Sequence, residues 1–408
     1  MTLCASLLIV AQTAGRGPAL EWEVKVLEEL VRLDTDATLR KNYDKAAEMI
    51  ARYAEELGMD VSIVGDEVPN VVAKLDVGAE KDLALVSHYD VVPAKGPWKL
   101  VDREIDPFEP IVIDGKLYGR GAADDKSAIA ASLGAIRELK GEKLRYNPLL
   151  IVVGDEEVGG TGIKEVVEKR CITGDAAVIL DASIEYLSVG ASGVVDGWIK
   201  VKGKGGHAGY PHVARNPIYG LVRLIGELEK FASFRSTKLS DLPSPPSSPI
   251  QRVWGRFTVT MLRAGQKHNA IPGEASAGFD MRLFPGEDLN QALEELKSFL
   301  TDAASRLGLE VELEIVGSVN DGWRTPPDHP FVAEVLSAME RAMGKRAIAA
   351  ELGGNDGFLF AKRGVPTVAI GAIRVPENNI HAPLEFVYLE DVAALKRLIV
   401  ELLKPGAS

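Results

Sequence analysis

The stretch LVSHYDVVP, Leu85 to Pro93, opens as a buried strand and then places His88 and Asp90 where apolar residues were due. Side chains two positions apart in a strand share a face, so the imidazole and the carboxylate are neighbours. Either they form a satisfied polar pair closing a strand, or His88 is a metal ligand steadied by a carboxylate behind it. The runs on either side bear on both the fold and that choice.

NVVAKL, LALVSHYDVV, PLLIVVGDEE, AAVILDAS and, much later, TVAIGA are short apolar runs, and helical stretches such as SAIAASLGAIRELKG lie between them. Two amphipathic helices precede the runs: Val24, Leu27, Leu30 and Val31, then Ala46, Met49, Ile50 and Tyr53, keep three- and four-residue spacing. This alternation predicts an α/β fold, a mixed and largely parallel sheet with helices on both faces. After Gly190 the character changes. GVVDGWIKVKGKGG alternates as a half-exposed strand does, and RFTVTMLRAG, ASAGFDMRLFP and LEVELEIV are further strands around two helical stretches. We expect an α+β unit over 191–321, inserted in a first domain built from 20–190 and 322–408, because AIAAELGGND and TVAIGAI return to the earlier pattern. SDLPSPPSSPIQR reads as a Pro/Ser-rich surface loop of the insert.

A chain of 408 residues exceeds what one hydrophobic core usually supports. Its 46% apolar and 26% charged residues are ordinary for a globular protein. The net charge of −12, with no basic cluster to override it, argues against nucleic acid and anionic lipid as partners. Cys4 and Cys171 are too few for a disulfide framework and lack thiolate zinc spacing, which fits a reducing, cytoplasmic setting. MTLCASLLIVAQTAGRG has no basic residue ahead of its apolar stretch and is too short to span a bilayer, so residues 1–19 read as an extension.

Ionisable groups collect where the apolar runs end. LALVSHYD ends in His88 and Asp90, PLLIVVGDEE in Asp155, Glu156 and Glu157, AVILD in Asp181, and TVAIGAIRVPENNIH reaches His381. Open α/β sheets bind ligands at the carboxyl ends of their strands, so four runs deliver these groups to one rim. In YGRGAADDKS, Asp124 and Asp125 follow a glycine turn. A carboxylate there would repel a pyrophosphate, and the competing reading makes one of the pair a helix N-cap. His88, Asp124, Glu157, Asp181 and His381 together suit two divalent cations, zinc or manganese, because so many acids at one rim repel one another without cations between them. Adjacent Glu156 and Glu157 point in different directions, which invites one ligand and one general base.

These residues, in SHYDVVP, YGRGAADDK, GDEEVGG, GGHAGYPHVARNP, HNAIPGEASAGFDMR, GGND and NNIHAPLEFV, resemble the di-zinc exopeptidases and deacylases that include acetylornithine deacetylase, succinyl-diaminopimelate desuccinylase, glutamate carboxypeptidase and the carnosine dipeptidases. The resemblance runs from about Glu21 to about Leu403. It implies that His88, Asp124 and Asp181 hold one metal and Asp124, Glu157 and His381 the other. It further implies Glu156 as general base and Asp90 as the residue that orients His88. The insert then corresponds to a lid and dimerisation domain. His207 would steady the oxyanion, and Arg282 and Asn269 would bind the substrate carboxylate and the reacting carbonyl.

The motifs divide over substrate. Asp124-Asp125-Lys126 and the aspartate at 181 are dipeptidase-like, whereas HAGYPHVARNP is close to the deacylase form. The expectation is a metal-dependent hydrolase of amide bonds, with zinc in first place and cobalt or manganese as alternatives. Its substrate is a short peptide or N-acyl amino acid with a free carboxylate. An exopeptidase leads over a deacylase, a metal-binding protein without turnover stands last, and the assembly is a homodimer through the lid.

Overall fold

The computed structural model describes residues 20–100 and 103–405, so the expectations for 1–19 lie outside the described residues. Along the chain come α1 (Glu21–Val31), α2 (Tyr43–Glu56), β1 (Asp60–Val64), β2 (Asn70–Lys74), β3 (Asp82–His88), α3 (Lys126–Glu138), β4 (Asn147–Val153), α4 (Thr161–Lys164), β5 (Ala176–Ile179) and β6 (Leu187–Ala191). Then follow β7 (Gly193–Lys202), α5 (Pro217–Ser236), β8 (Arg256–Ala264), β9 (Glu274–Leu283), α6 (Leu289–Leu307), β10 (Glu310–Asn320), β11 (Trp323–Arg324), α7 (Pro330–Met343), β12 (Ile348–Glu351), α8 (Gly357–Lys362), β13 (Thr367–Ala369) and α9 (Leu389–Leu403).

A nine-stranded mixed sheet runs β1-β2-β4-β3-β5-β13-β6-β11, with β12 also on β6. Its middle is parallel, β4 and β5 flanking β3 and β13 following β5; β1–β2, β2–β4, β13–β6 and β6–β11 are antiparallel, and β12 joins β6 in parallel. The two-residue period sorts each strand between two cores. Leu83, Leu85, Leu150, Val152 and Val178 face one apolar layer that includes residues of α1, α2, α3, α7 and α9. Ala84, Val86, Ile151, Val153 and Ile179 face another, with Ile163, Leu359 and Phe360 of α4 and α8. Helices on both faces therefore follow from the near-continuous apolar runs. Truncating one such fully buried side chain, Leu85→Ala for instance, costs about 2–5 kcal/mol.

The second sheet, β8-β9-β7-β10, is antiparallel throughout. Along β7, Val195, Ile199 and Val201 point into a third apolar cluster shared with Leu221, Leu224 and Leu228 of α5 and Leu296 and Leu300 of α6. Asn216 caps α5 by accepting from the Ile218 amide, ahead of Pro217 in the first turn, and Asp288 caps α6 from the Gln291 amide.

The Pro/Ser-rich stretch differs from its expectation as a surface loop. Leu239–Pro243 pairs with Arg252–Trp254, and Leu242 and Val253 belong to the first core cluster rather than to the insert's own. Two apolar side chains among prolines are enough to anchor the hairpin, and its tip Pro245–Ser248 lies over the ends of the central strands beside Asp181. Among the described residues, no helix is long and apolar enough to cross a membrane.

Candidate metal centre and catalytic site

Parallel pairing puts the ends of β3, β4, β5 and β13 on one edge. His88 lies opposite Val153, Val86 opposite Ile179, and Ile179 opposite Ala369. Chain leaving these ends supplies Asp90, Glu156, Glu157 and Asp181, while the segment after β13 returns His381.

Asp124 is the hub. Its Oδ1 lies 3.0 Å from His88 Nε2 and its Oδ2 lies 3.1 Å from His381 Nε2, so the two oxygens serve different imidazoles. His381 Nε2 is also 3.2 Å from Glu157 Oε2. Burial opposes ionisation of Asp124, but hydrogen bonds from His381 and His88 outweigh it and hold the carboxyl well below its usual range. Asp125, not Asp124, stands at the N-cap position of α3, yet its side chain makes no cap there and accepts instead from the His88 amide at 3.2 Å. Asp124 faces the two histidines instead.

Asp90 works behind His88. Its backbone oxygen is 3.1 Å and its Oδ1 3.3 Å from His88 Nδ1, while Oδ1 and Oδ2 accept from the amides of Glu156 and Glu157 at 3.2 and 3.1 Å. A proton held on Nδ1 leaves the Nε2 lone pair for a cation. One fully buried carboxylate therefore contacts both the His88 ring and the short turn Glu156–Val158.

Ligand-competent atoms of His88, Asp124 and Glu157 lie within 4.8 Å of one another, as do those of His88, Glu156 and Asp181. Burial and the Asp124 charge push Asp181 up to about 8. Burial, with Asp356 next, pushes Glu156 well above the usual carboxylate range. His381 is raised to about 10 by its hydrogen bonds to Asp124 and Glu157. Carboxyls that crowd until they hold protons are a donor set that divalent cations relieve, so the residues fit a metal centre.

Arg282 lines a cleft of about 680 Å³ together with Glu156, Glu157, Asn355 and Asp356. Its Nε and Nη2 contact Asp280 at 2.8–3.0 Å. His207 and Asn269 are not brought to this cleft. They neighbour each other where Gly206–His207 pairs with Ala270–Ile271, both side chains exposed, and the Ala208 amide donates to the Asn269 carbonyl at 2.9 Å.

Three contributors were not singled out from sequence. Asp356, buried beside Glu156 and pushed up to about 7 by burial, closes the GGND motif. The other two form a buried pair: Arg120 bonds Glu385 and donates to the Ala382 carbonyl at 3.2 Å, and Glu385 accepts from the amides of Ala123 and Asp124 at 3.0 and 3.2 Å. The signal was spacing, since each stands four residues from a candidate ligand, Arg120 before Asp124 and Glu385 after His381.

Sequence and fold both match known metallohydrolases. The family model described as peptidase family M20/M25/M40 matches residues 84–404. A succinyl-diaminopimelate desuccinylase of Xanthobacter autotrophicus is 31% identical over 367 residues, 86% of this chain and 91% of that protein. A metallohydrolase of Methanocaldococcus jannaschii is 28% identical over 367 residues, 83% of this chain and 85% of its own. Among solved structures, an M20 family metallo-carboxypeptidase from Sulfolobus solfataricus superposes with a TM-score of 0.78 at 21% identity, over 93% of this chain and 98% of that one. Human carnosine dipeptidase 1 gives 0.69 at 19% identity, over 93% and 96%. A strand-end metal centre in this fold, with a family match across most of its length, makes the chain a metallohydrolase belonging to peptidase family M20/M25/M40.

Proposed function

We propose that the protein is a di-metal amidohydrolase that removes a carboxylate-bearing residue from a short peptide or N-acyl amino acid, with exopeptidase action as the leading reading. The carrying observation is the split of Asp124, one oxygen to each histidine, beside Glu157 on one side and Asp181 on the other. His88, Asp124 and Asp181 would hold one cation and Asp124, Glu157 and His381 the second, most fittingly zinc, with cobalt or manganese as alternatives. When bound, two such cations polarise the amide carbonyl and acidify water. Glu156, close to both His88 and Asp181, accepts the proton of the attacking water and delivers it to the leaving nitrogen. Asp90 keeps His88 in its tautomer, and Arg282 binds the substrate carboxylate at the cleft wall.

We assign 191–321 as the lid and dimerisation unit, with His207 and Asn269 acting on the carbonyl oxygen once substrate and a second subunit are in place. Its outer surface supports a homodimer: β8 is a sheet edge carrying Leu262, 63% exposed, and α5 exposes Tyr219 and Val222. A cytoplasmic setting accords with Cys171 being free and exposed. The 31% identity to a desuccinylase supports the deacylase as second reading. Amine release from dipeptides, N-acetyl and N-succinyl amino acids by the zinc- or manganese-loaded protein tests both. Chelator-sensitive release from dipeptides is expected. Release from acylated amino acids alone would make it a deacylase, and none from any, with two metals bound, would leave a metal-binding protein.

A further inference from the structure

A second cavity, of about 270 Å³, opens on the other side of Gly354 and Asn355, which line both it and the Arg282 cleft. It falls below the ~300 Å³ at which pockets begin to enclose whole drug-sized ligands, so it suits one side chain. Asp181 forms part of its wall, which places it beside the scissile bond of anything bound at the metal centre. Ile373, Val375, Ile380 and Tyr186 supply apolar surface, and the hairpin tip Pro245–Ser248 closes it from the insert side.

The polar lining has one sign. Asp181, Glu185 and Glu351 contribute carboxyls, and among the described residues no lysine, arginine or histidine lines the cavity. Glu351 accepts from the Tyr186 hydroxyl through Oε2 at 2.9 Å. The Ser183 backbone adds a second hydrogen bond to the Glu351 carboxyl, so Tyr186 and Ser183 hold it at the cavity wall. Ser248 Oγ, on the facing hairpin, is buried and unpartnered. Burial pushes Glu351 up to about 7, as expected of a carboxyl with no cation beside it.

We propose that this cavity receives the side chain on the acyl side of the scissile amide, and that it selects an apolar or basic side chain and rejects an acidic one. The inference rests on the amidohydrolase reading above and narrows it. With Arg282 engaging the carboxylate of the leaving residue, a peptide ending in an apolar or basic residue followed by one free-carboxylate residue spans both cavities. A succinyl group would bring its own carboxylate against Glu351 and Glu185 with no basic side chain on the cavity wall, and a buried charge without a partner is strongly disfavoured.

The test is the metal-loaded full chain with Leu-Ala, Lys-Ala, Arg-Ala, Glu-Ala, Asp-Ala and N-succinyl-alanine. Expected is a kcat/KM for the leucine and lysine substrates at least about 10-fold above that for the glutamate, aspartate and succinyl ones. Glu351→Gln, close to isosteric, is expected to lower Lys-Ala at least about 5-fold relative to Leu-Ala while Leu-Ala changes less than about 2-fold, so the leucine rate also reports folding. Equal or faster cleavage of acidic or succinylated substrates, or a uniform loss on all substrates in Glu351→Gln, overturns the assignment. If no amide is cleaved, the amidohydrolase reading fails, and calorimetric binding of free lysine and leucine against glutamate then decides the cavity: equal affinities reject it, a preference for the first two sustains it.

Discussion

At Glu156 and His88 the proposed division of labour is sharpest, because both reach the same few ångströms of space with different chemistry. Glu156→Gln keeps volume and removes the proposed base. We expect metal content to be unchanged and kcat to fall at least about 100-fold, measured by amine release alongside elemental analysis. A near-normal rate would remove Glu156 from the mechanism. His88→Ala deletes an Nε2 that faces Asp124 at 3.0 Å, and bound metal per chain is expected to drop. Unchanged stoichiometry would contradict the ligand assignment. These positions were legible in the sequence because a charged group at the end of an apolar run breaks a pattern. Asp356 was not, because an aspartate after Gly353, Gly354 and Asn355 reads as an ordinary turn residue until the fold shows it buried.

Between elements, the pair Arg120–Glu385 ties the turn before α3 to the segment that carries His381. Both side chains are 1% exposed, so removing one strands the other's charge. Glu385→Ala is expected to destabilise the protein by about 3–5 kcal/mol, read from denaturant unfolding. In Glu385→Gln, which keeps the shape, metal affinity is expected to weaken about 10–100-fold, because the amides of Ala123 and Asp124 lose a charged acceptor. Unaltered affinity would make the pair purely structural. A partner 265 residues away could not be foreseen from either residue alone. The hairpin beginning at Leu239 was hidden in another way: prolines mask a strand, and only packing of Leu242 and Val253 against the main core reveals it.

For the whole molecule, the acidic rim couples protons, metal and stability. In the metal-free protein Asp181 rises from 3.8 to about 8 and His381 from 6.5 to about 10, so the folded state binds these protons more tightly than the unfolded one. The stability they contribute is full below 3.8 and 6.5 and lost as pH rises through about 8 and about 10. Thermal midpoints of metal-free protein are therefore expected to fall from pH 6 to pH 9. Metal binding expels the same protons, so affinity is expected to rise with pH, with proton release measurable by calorimetry in buffers of different ionisation heat. A midpoint that climbs over this range would contradict the crowding described. The fold class was readable because near-continuous apolar runs leave few alternatives to a two-faced sheet. The cavity beside Asp181 was not, because its walls come from segments near residues 182, 247, 352 and 375 that meet only in space.

The order in which the strands leave the ribosome follows from the same topology. Two hundred residues separate Asp181 from His381, and the insert lies between them. At ordinary rates of synthesis that interval is on the order of 10–40 s. During it His88, Asp124, Glu156, Glu157 and Asp181 already exist, but the second imidazole does not. On the proposed ligand set, the nascent chain lacks one ligand of the second cation throughout that interval, and the full set exists only once His381 has been made.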